Sequence, residues 1–178
     1  MTQAQLITAV GCTPQRAAAF LAPLEHAMKI FEINTPARIA AFLAQIGHES
    51  GSLRYVEEIA SGAAYEGRKD LGNTQPGDGI RFKGRGLIQI TGRANYDAVG
   101  KALQYDFISN PEHLELPGAA SLSAAWFWKS RGLNELADKG DFLKISVKIN
   151  GRNKATGLPN GWDDRQARWA KAKVALGA

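Results

Sequence analysis

The stretch Ile39-Ala40-Ala41-Phe42-Leu43-Ala44-Gln45-Ile46-Gly47-His48-Glu49-Ser50 decides how the rest of the chain is read. Ile39, Phe42, Leu43 and Ile46 fall at i, i+3, i+4 and i+7, the spacing of one buried helical face. Asn34-Thr35-Pro36 precedes it, a cap residue followed by a proline in the first turn. Glu49 prolongs the apolar face, three residues past Ile46 and seven past Phe42. A carboxyl at the edge of a core is desolvated, which disfavours its charged form. An acid that keeps its proton near neutral pH is what cleavage of a glycosidic bond requires.

Outward from this helix the patterning stays helical. Thr13-Pro14 repeats the start signal, and Gln15 to Ile30 reads as a helix that Pro23 bends or interrupts. Ala94 to Leu103, Pro117 to Ser130 and Asp141 to Ile149 follow, and Asp163 is expected to cap a last helix through Leu176. Between Gly51 and Arg85 six glycines and Pro76 mark an irregular stretch. A loop that long in one domain is functional or carries short strands. The expectation is a mainly α, single domain over residues 1–178, with a loop-rich lobe that has room for a small β-hairpin and no separate wall-binding domain.

Length and composition bound the function. The 178 residues suffice for one core, and a single cysteine, Cys12, excludes an internal disulfide framework. No cationic segment opens the chain, so no secretory signal is read, and no apolar run is long enough for a membrane span. A net charge of +5 favours a polyanionic partner such as nucleic acid, anionic membrane or an acidic cell-wall polymer. Against nucleic acid, Phe82-Lys83-Gly84-Arg85-Gly86 offers only one Arg-Gly copy inside an apolar-flanked segment. His26, His48 and His113 form no zinc pattern, and His48-Glu49 lacks the second histidine of H-E-x-x-H. No metal and no cofactor are expected. The tryptophans at 126, 128, 162 and 169 read as helix packing.

Two further constellations carry chemistry. Glu57-Glu58, in the loop after the Glu49 helix, offers a second carboxylate, and two such groups across a glycosidic bond serve as acid and base. Local sequence leaves open which of the two faces inward. In Gly84-Arg85-Gly86-Leu87-Ile88-Gln89-Ile90-Thr91 the alternation suggests a short extended segment. Gln89 and Thr91 would then share a face and offer an amide and a hydroxyl to a sugar or a water, with Arg93 and Tyr96 lining the same groove.

His48-Glu49-Ser50-Gly51, Arg85 to Thr91, Asn95-Tyr96 and Ile149-Asn150-Gly151 occur in the order seen in glycoside hydrolase family 19. From about Thr13 to Leu176 the chain resembles the short bacteriophage endolysins of that family, lysozyme-like enzymes related to plant-type chitinases. Tyr65-Glu66-Gly67-Arg68, Asp70-Leu71-Gly72-Asn73 and Pro76-Gly77-Asp78-Gly79 resemble the same subgroup. The resemblance implies a lysozyme-like fold and inverting hydrolysis of β-1,4 bonds in peptidoglycan glycan strands. It makes Glu49 the general acid, Glu58 the base, and Thr91 the hydroxyl that holds the water. It places His48, Gln89, Tyr96, Asn150 and Arg165 along the substrate cleft, Arg165 as an arginine that orients a catalytic carboxylate. Two departures stand out: Arg152 follows Asn150-Gly151 where a second glycine is common, and the loop after Glu58 is short. The implied protein is a monomer that waits in the host cytoplasm until lysis and then attacks the wall without inserting into the membrane. Chitin oligomers as substrate, or an inactive wall-binding domain, are the competing readings.

Overall fold

A computed structural model describes all of residues 1–178. Its architecture is set by α3, Pro36–Glu49, around which the other helices pack. Thr35 caps α3 by accepting a hydrogen bond from the Arg38 N–H, and Pro36 fills the first turn, where a missing N–H costs nothing. The one-sided burial read from the sequence is an underestimate. Every residue from Ala40 to Gly47 is buried, because α1 (Gln3–Val10), α7 (Leu133–Asp138) and α9 (Trp162–Leu176) enclose the helix. A helix apolar on all sides belongs inside a core.

Around it, α2 (Pro14–Ile30) lies along α6 (Pro117–Ser130), and Trp128 of α6 meets Phe42 of α3 edge-on at 5.4 Å. Pro23 does not interrupt α2, which runs unbroken through it while Leu24, Ala27 and Met28 stay buried. Tertiary packing here outweighs the lost hydrogen bond. The first helix, α1, is absent from the sequence reading although its signal was present: Thr2 and Gln5 form a reciprocal capping box. At the other end, Asp163 is not the cap of α9. Gly161 occupies that position with φ +70°, and Asp163 and Asp164 lie in the first turn, where carboxylates favour the helix dipole.

The remaining helices are α4 (Asp78–Arg81), α5 (Arg93–Leu103) and α8 (Phe142–Asn150). Between α3 and α5 the chain forms an irregular lobe with 3-10 turns at Ala63–Tyr65 and Lys69–Leu71. No hairpin of strands forms there. Two isolated antiparallel bridges, Glu57 with Arg85 and Arg85 with Ile90, take its place. Gly86 at φ +80° and Gln89 at φ +57° fold residues 86–89 into a turn, so the expected extended alternation is broken at its middle. Polar groups hold this lobe: buried Asp78 pairs with Arg93 at 2.6 Å, and buried Asn73 accepts from the Arg93 backbone N–H at 2.8 Å. No helix is long and apolar enough to cross a membrane.

Candidate active site

Glu49 is the last residue of α3, with its side chain 18% exposed. Arg165, on α9, has no exposed surface and donates from Nη2 to Glu49 Oε1 at 2.6 Å. Its other nitrogens are also used: Nη1 donates to Gln45 Oε1, and Nε donates to the Asn160 carbonyl at 2.9 Å. Gln45, fully buried one turn before Glu49, donates in turn to Ser146 Oγ of α8 at 2.7 Å. A guanidinium fork filled on all sides cannot rotate, so the carboxylate it grips has one orientation. Asn150, exposed at the end of α8, accepts from the Asn160 N–H at 2.9 Å and so joins the same network.

The second carboxylate sits on the irregular lobe. Glu58 Oε1 accepts from the Tyr65 hydroxyl at 2.9 Å, and Oε2 accepts from the Gly84 N–H at 3.0 Å. Burial, and then the Glu58 carboxylate beside it, push the Tyr65 phenol up, so it stays a donor. Gly84 gathers the rest. A methyl group at its Cα would come within 2.7 Å of Gln89 Oε1, 3.1 Å of Glu58 Oε2 and 3.3 Å of Thr91 Oγ1. Base candidate, amide and hydroxyl therefore converge on one point that only a glycine leaves open. The turn at residues 86–89 achieves what an extended strand was expected to do. Thr91 Oγ1 donates to the Gln89 carbonyl at 3.0 Å, and Gln89 Nε2 donates to the Gly86 carbonyl at 3.0 Å.

Glu57 points elsewhere. Its carboxylate lies 2.8 Å from Lys83 Nζ and 3.7 Å from Arg85 Nη2, and it shares no partner with Glu58. The backbone bridge to Arg85 separates the two neighbours.

Two residues expected to line the groove, Tyr96 and Arg93, are placed differently. Tyr96 is fully buried and offers no face to a sugar. Its ring meets Phe82 at 5.1 Å, its hydroxyl donates to the Lys83 carbonyl at 2.6 Å, and it accepts from Arg85 Nη1 at 3.0 Å. Tyr96 stands on the inward side of α5 beside Val99, which local sequence did not distinguish from the groove side. Arg165 is fully enclosed, and its guanidinium is held against Glu49. Arg93 spends its guanidinium on Asp78 and Gln75. His48 Nδ1 lies 2.7 Å from Asp164 Oδ2, and its ring covers Gly161 so closely that a methyl group there would sit 2.1 Å from Cε1. His48 thus locks the start of α9, which carries Arg165.

Sequence reasoning passed over Gln45 and Tyr65. Gln45 stands at i−4 from Glu49, the same helical face, and that spacing was a usable signal. Tyr65 lies seven residues from Glu58 across irregular backbone, where no periodicity connects them.

Known proteins bear directly on this arrangement. The family model described as chitinase class I matches residues 31–138, which contain Glu49, Glu58, Gln89 and Thr91. A Haemophilus influenzae protein described as glycosyl hydrolase family 19 domain-containing is 40% identical over 111 residues, covering 61% of this chain and 49% of that one. Endochitinase At2g43610 of Arabidopsis thaliana is 37% identical over 116 residues, 65% of this chain and 40% of its own length. The chain thus spans half or less of these relatives. The crystal structure of a bacterial family 19 chitinase superposes with a TM-score of 0.81 at 25% identity, covering 99% of this chain and 95% of that one. Chitinase C from Streptomyces griseus superposes at 0.80, also 25% identical, over 99% of this chain and 76% of its own. The mainly helical, lysozyme-like fold is shared with these structures. With more than half of its length matched by the family model, the chain belongs to glycoside hydrolase family 19.

Proposed function

We propose that this chain hydrolyses β-1,4 glycosidic bonds in the glycan strands of peptidoglycan, as a phage-type endolysin. Glu49 donates its proton to the leaving oxygen as oxocarbenium character develops. Glu58 takes a proton from a water that Thr91 helps to hold, and the water attacks the opposite face of the sugar, inverting the anomeric carbon. Gln89 and Asn150 supply polar contacts to the glycan. No step calls for a metal or an organic cofactor. The observation that carries this reading is the convergence of Glu58, Gln89 and Thr91 on the open face of Gly84, with Glu49 separately gripped by Arg165.

The choice of peptidoglycan rests on the resemblance to phage endolysins and on the net charge of +5, which suits an anionic wall. In this reading the protein is a monomer, resides in the host cytoplasm until lysis, and then reaches the wall. Chitin is the second reading, favoured because several relatives are named endochitinases. Mass analysis of fragments released from purified peptidoglycan and from chitin oligomers, with Glu49→Gln run alongside, tests both. Hydrated reducing ends from peptidoglycan that vanish in the variant support the proposal. Anhydro-sugar ends overturn the water-dependent mechanism, and cleavage of chitin alone overturns the substrate.

A further inference from the structure

The motifs Tyr65-Glu66-Gly67-Arg68, Asp70-Leu71-Gly72-Asn73 and Pro76-Gly77-Asp78-Gly79 supply neither acid, base nor glycan contact, yet they are braced against one another within the irregular lobe. Each end of the turn that carries Tyr65 is clamped to Gly79. On one side Gly62, at φ +83°, packs so close that a methyl group there would lie 2.5 Å from the Gly79 carbonyl oxygen. On the other, the Glu66 carboxylate accepts from the backbone N–H groups of Gly77 and Gly79, both at 2.8 Å. Asn73, fully buried, donates to the Tyr65 carbonyl at 2.9 Å and accepts from the Arg93 N–H. Arg93 is itself held by buried Asp78. What this bracing delivers to the site is one group, the Tyr65 hydroxyl on Glu58 Oε1.

We propose that Tyr65 is the positioning residue for Glu58, and that the segment from Gly62 to Arg93 is built to hold its hydroxyl in place. The proposal rests on the reading of Glu58 as the base. A carboxylate on an irregular loop has free torsions, and a misplacement of about 1 Å can cost about a hundredfold in rate. With Oε1 held by the phenol and Oε2 by the Gly84 N–H, the plane of the carboxylate is fixed. A lone pair is then left to face the water beside Thr91. Tyr65 reaches the substrate only through Glu58, so its loss belongs in turnover and not in binding.

The test uses the full chain on whichever glycan the wild type cleaves, with Glu58→Gln, Tyr65→Phe, Asn73→Ala and the Tyr65→Phe/Asn73→Ala pair. Tyr65→Phe is expected to lower kcat by about 10- to 100-fold, leave KM within about twofold, and leave Tm nearly unchanged. Asn73→Ala is expected to lower kcat alone and to add little once Tyr65 is phenylalanine, because both act through one hydroxyl. Unchanged kcat in Tyr65→Phe with Glu58→Gln inactive overturns the proposal and leaves the proposed function standing. A raised KM at constant kcat makes Tyr65 a substrate contact and equally overturns it. Fully additive losses in the pair overturn the role of the segment. An active Glu58→Gln removes the base itself, and the proposal falls with that reading.

Discussion

Arg165 and Glu49 are 116 residues apart in sequence, and the Arg165 Nη2 to Glu49 Oε1 distance is 2.6 Å, with no part of the arginine exposed. A buried cation with three acceptors is expensive to form and more expensive to break. Arg165→Met leaves Glu49, Gln45 and the Asn160 carbonyl without their donor. The expected cost is about 3–5 kcal/mol of folding stability, read from urea denaturation, together with loss of activity in the folded fraction. A variant as stable as wild type would remove the network from the account of α9.

The two carboxylates can be separated from their neighbours by amide substitution. Glu49→Gln keeps the shape and removes the proton, so turnover is expected to fall by about two to four orders of magnitude with glycan binding retained. Glu58→Gln is expected to act likewise. Glu57→Gln loses the ion pair of a half-exposed carboxylate with Lys83 and a 3.7 Å contact to buried Arg85, which keeps Glu115, and is expected to cost about 1 kcal/mol, with turnover near wild type. Inactive Glu57→Gln beside active Glu58→Gln would exchange their roles.

Gly84→Ala tests the point of convergence. Its methyl group would meet the free end of Gln89 at 2.7 Å and crowd Glu58 and Thr91, while the Gln89 side chain can swing away. Gly84 is buried, so the added methyl group is expected to cost about 1–3 kcal/mol, toward the low end because its nearest neighbour is the movable end of a side chain. Turnover is expected to fall about tenfold or more, as for a small displacement of reacting groups. Unchanged turnover would show that the open face of Gly84 is not where water sits.

Acid stability is expected to depend on Asp78. Arg93's guanidinium, opposed by burial and helped by the backbone N–H groups of Gln75 and Thr74, holds this carboxyl below the usual carboxylate range. A group depressed in the folded state contributes stability above its unfolded pKa of about 3.9, and the contribution is lost as pH falls through the folded value. Asp78→Asn is therefore expected to cost about 3 kcal/mol near neutral pH. The gap from wild type should close as the pH drops below about 4. Urea denaturation from pH 7 downward checks this, and two parallel pH curves would exclude Asp78 as the source.

Local rules account for what the sequence determined by itself. The cap at Thr35-Pro36, the apolar spacing from Ile39 to Ile46, and the end of the helix at Glu49 are relations within one or two turns, and all three are present in the structure. Pro117 to Ser130 is a helix over the same residues for the same reason. The glycines between Gly51 and Arg85 announced irregular backbone, and the family motifs named the residues that meet there. Tertiary structure decided the rest. Which side of α5 Tyr96 occupies depends on Phe82 and Arg85, and which of Glu57 and Glu58 turns inward depends on a bridge to Arg85. The grip of Arg165 on Glu49 and of Tyr65 on Glu58 joins segments with no shared periodicity. Helix period and capping act over a few residues, whereas a buried charge or hydroxyl is oriented by whatever partner the fold brings within about 3 Å.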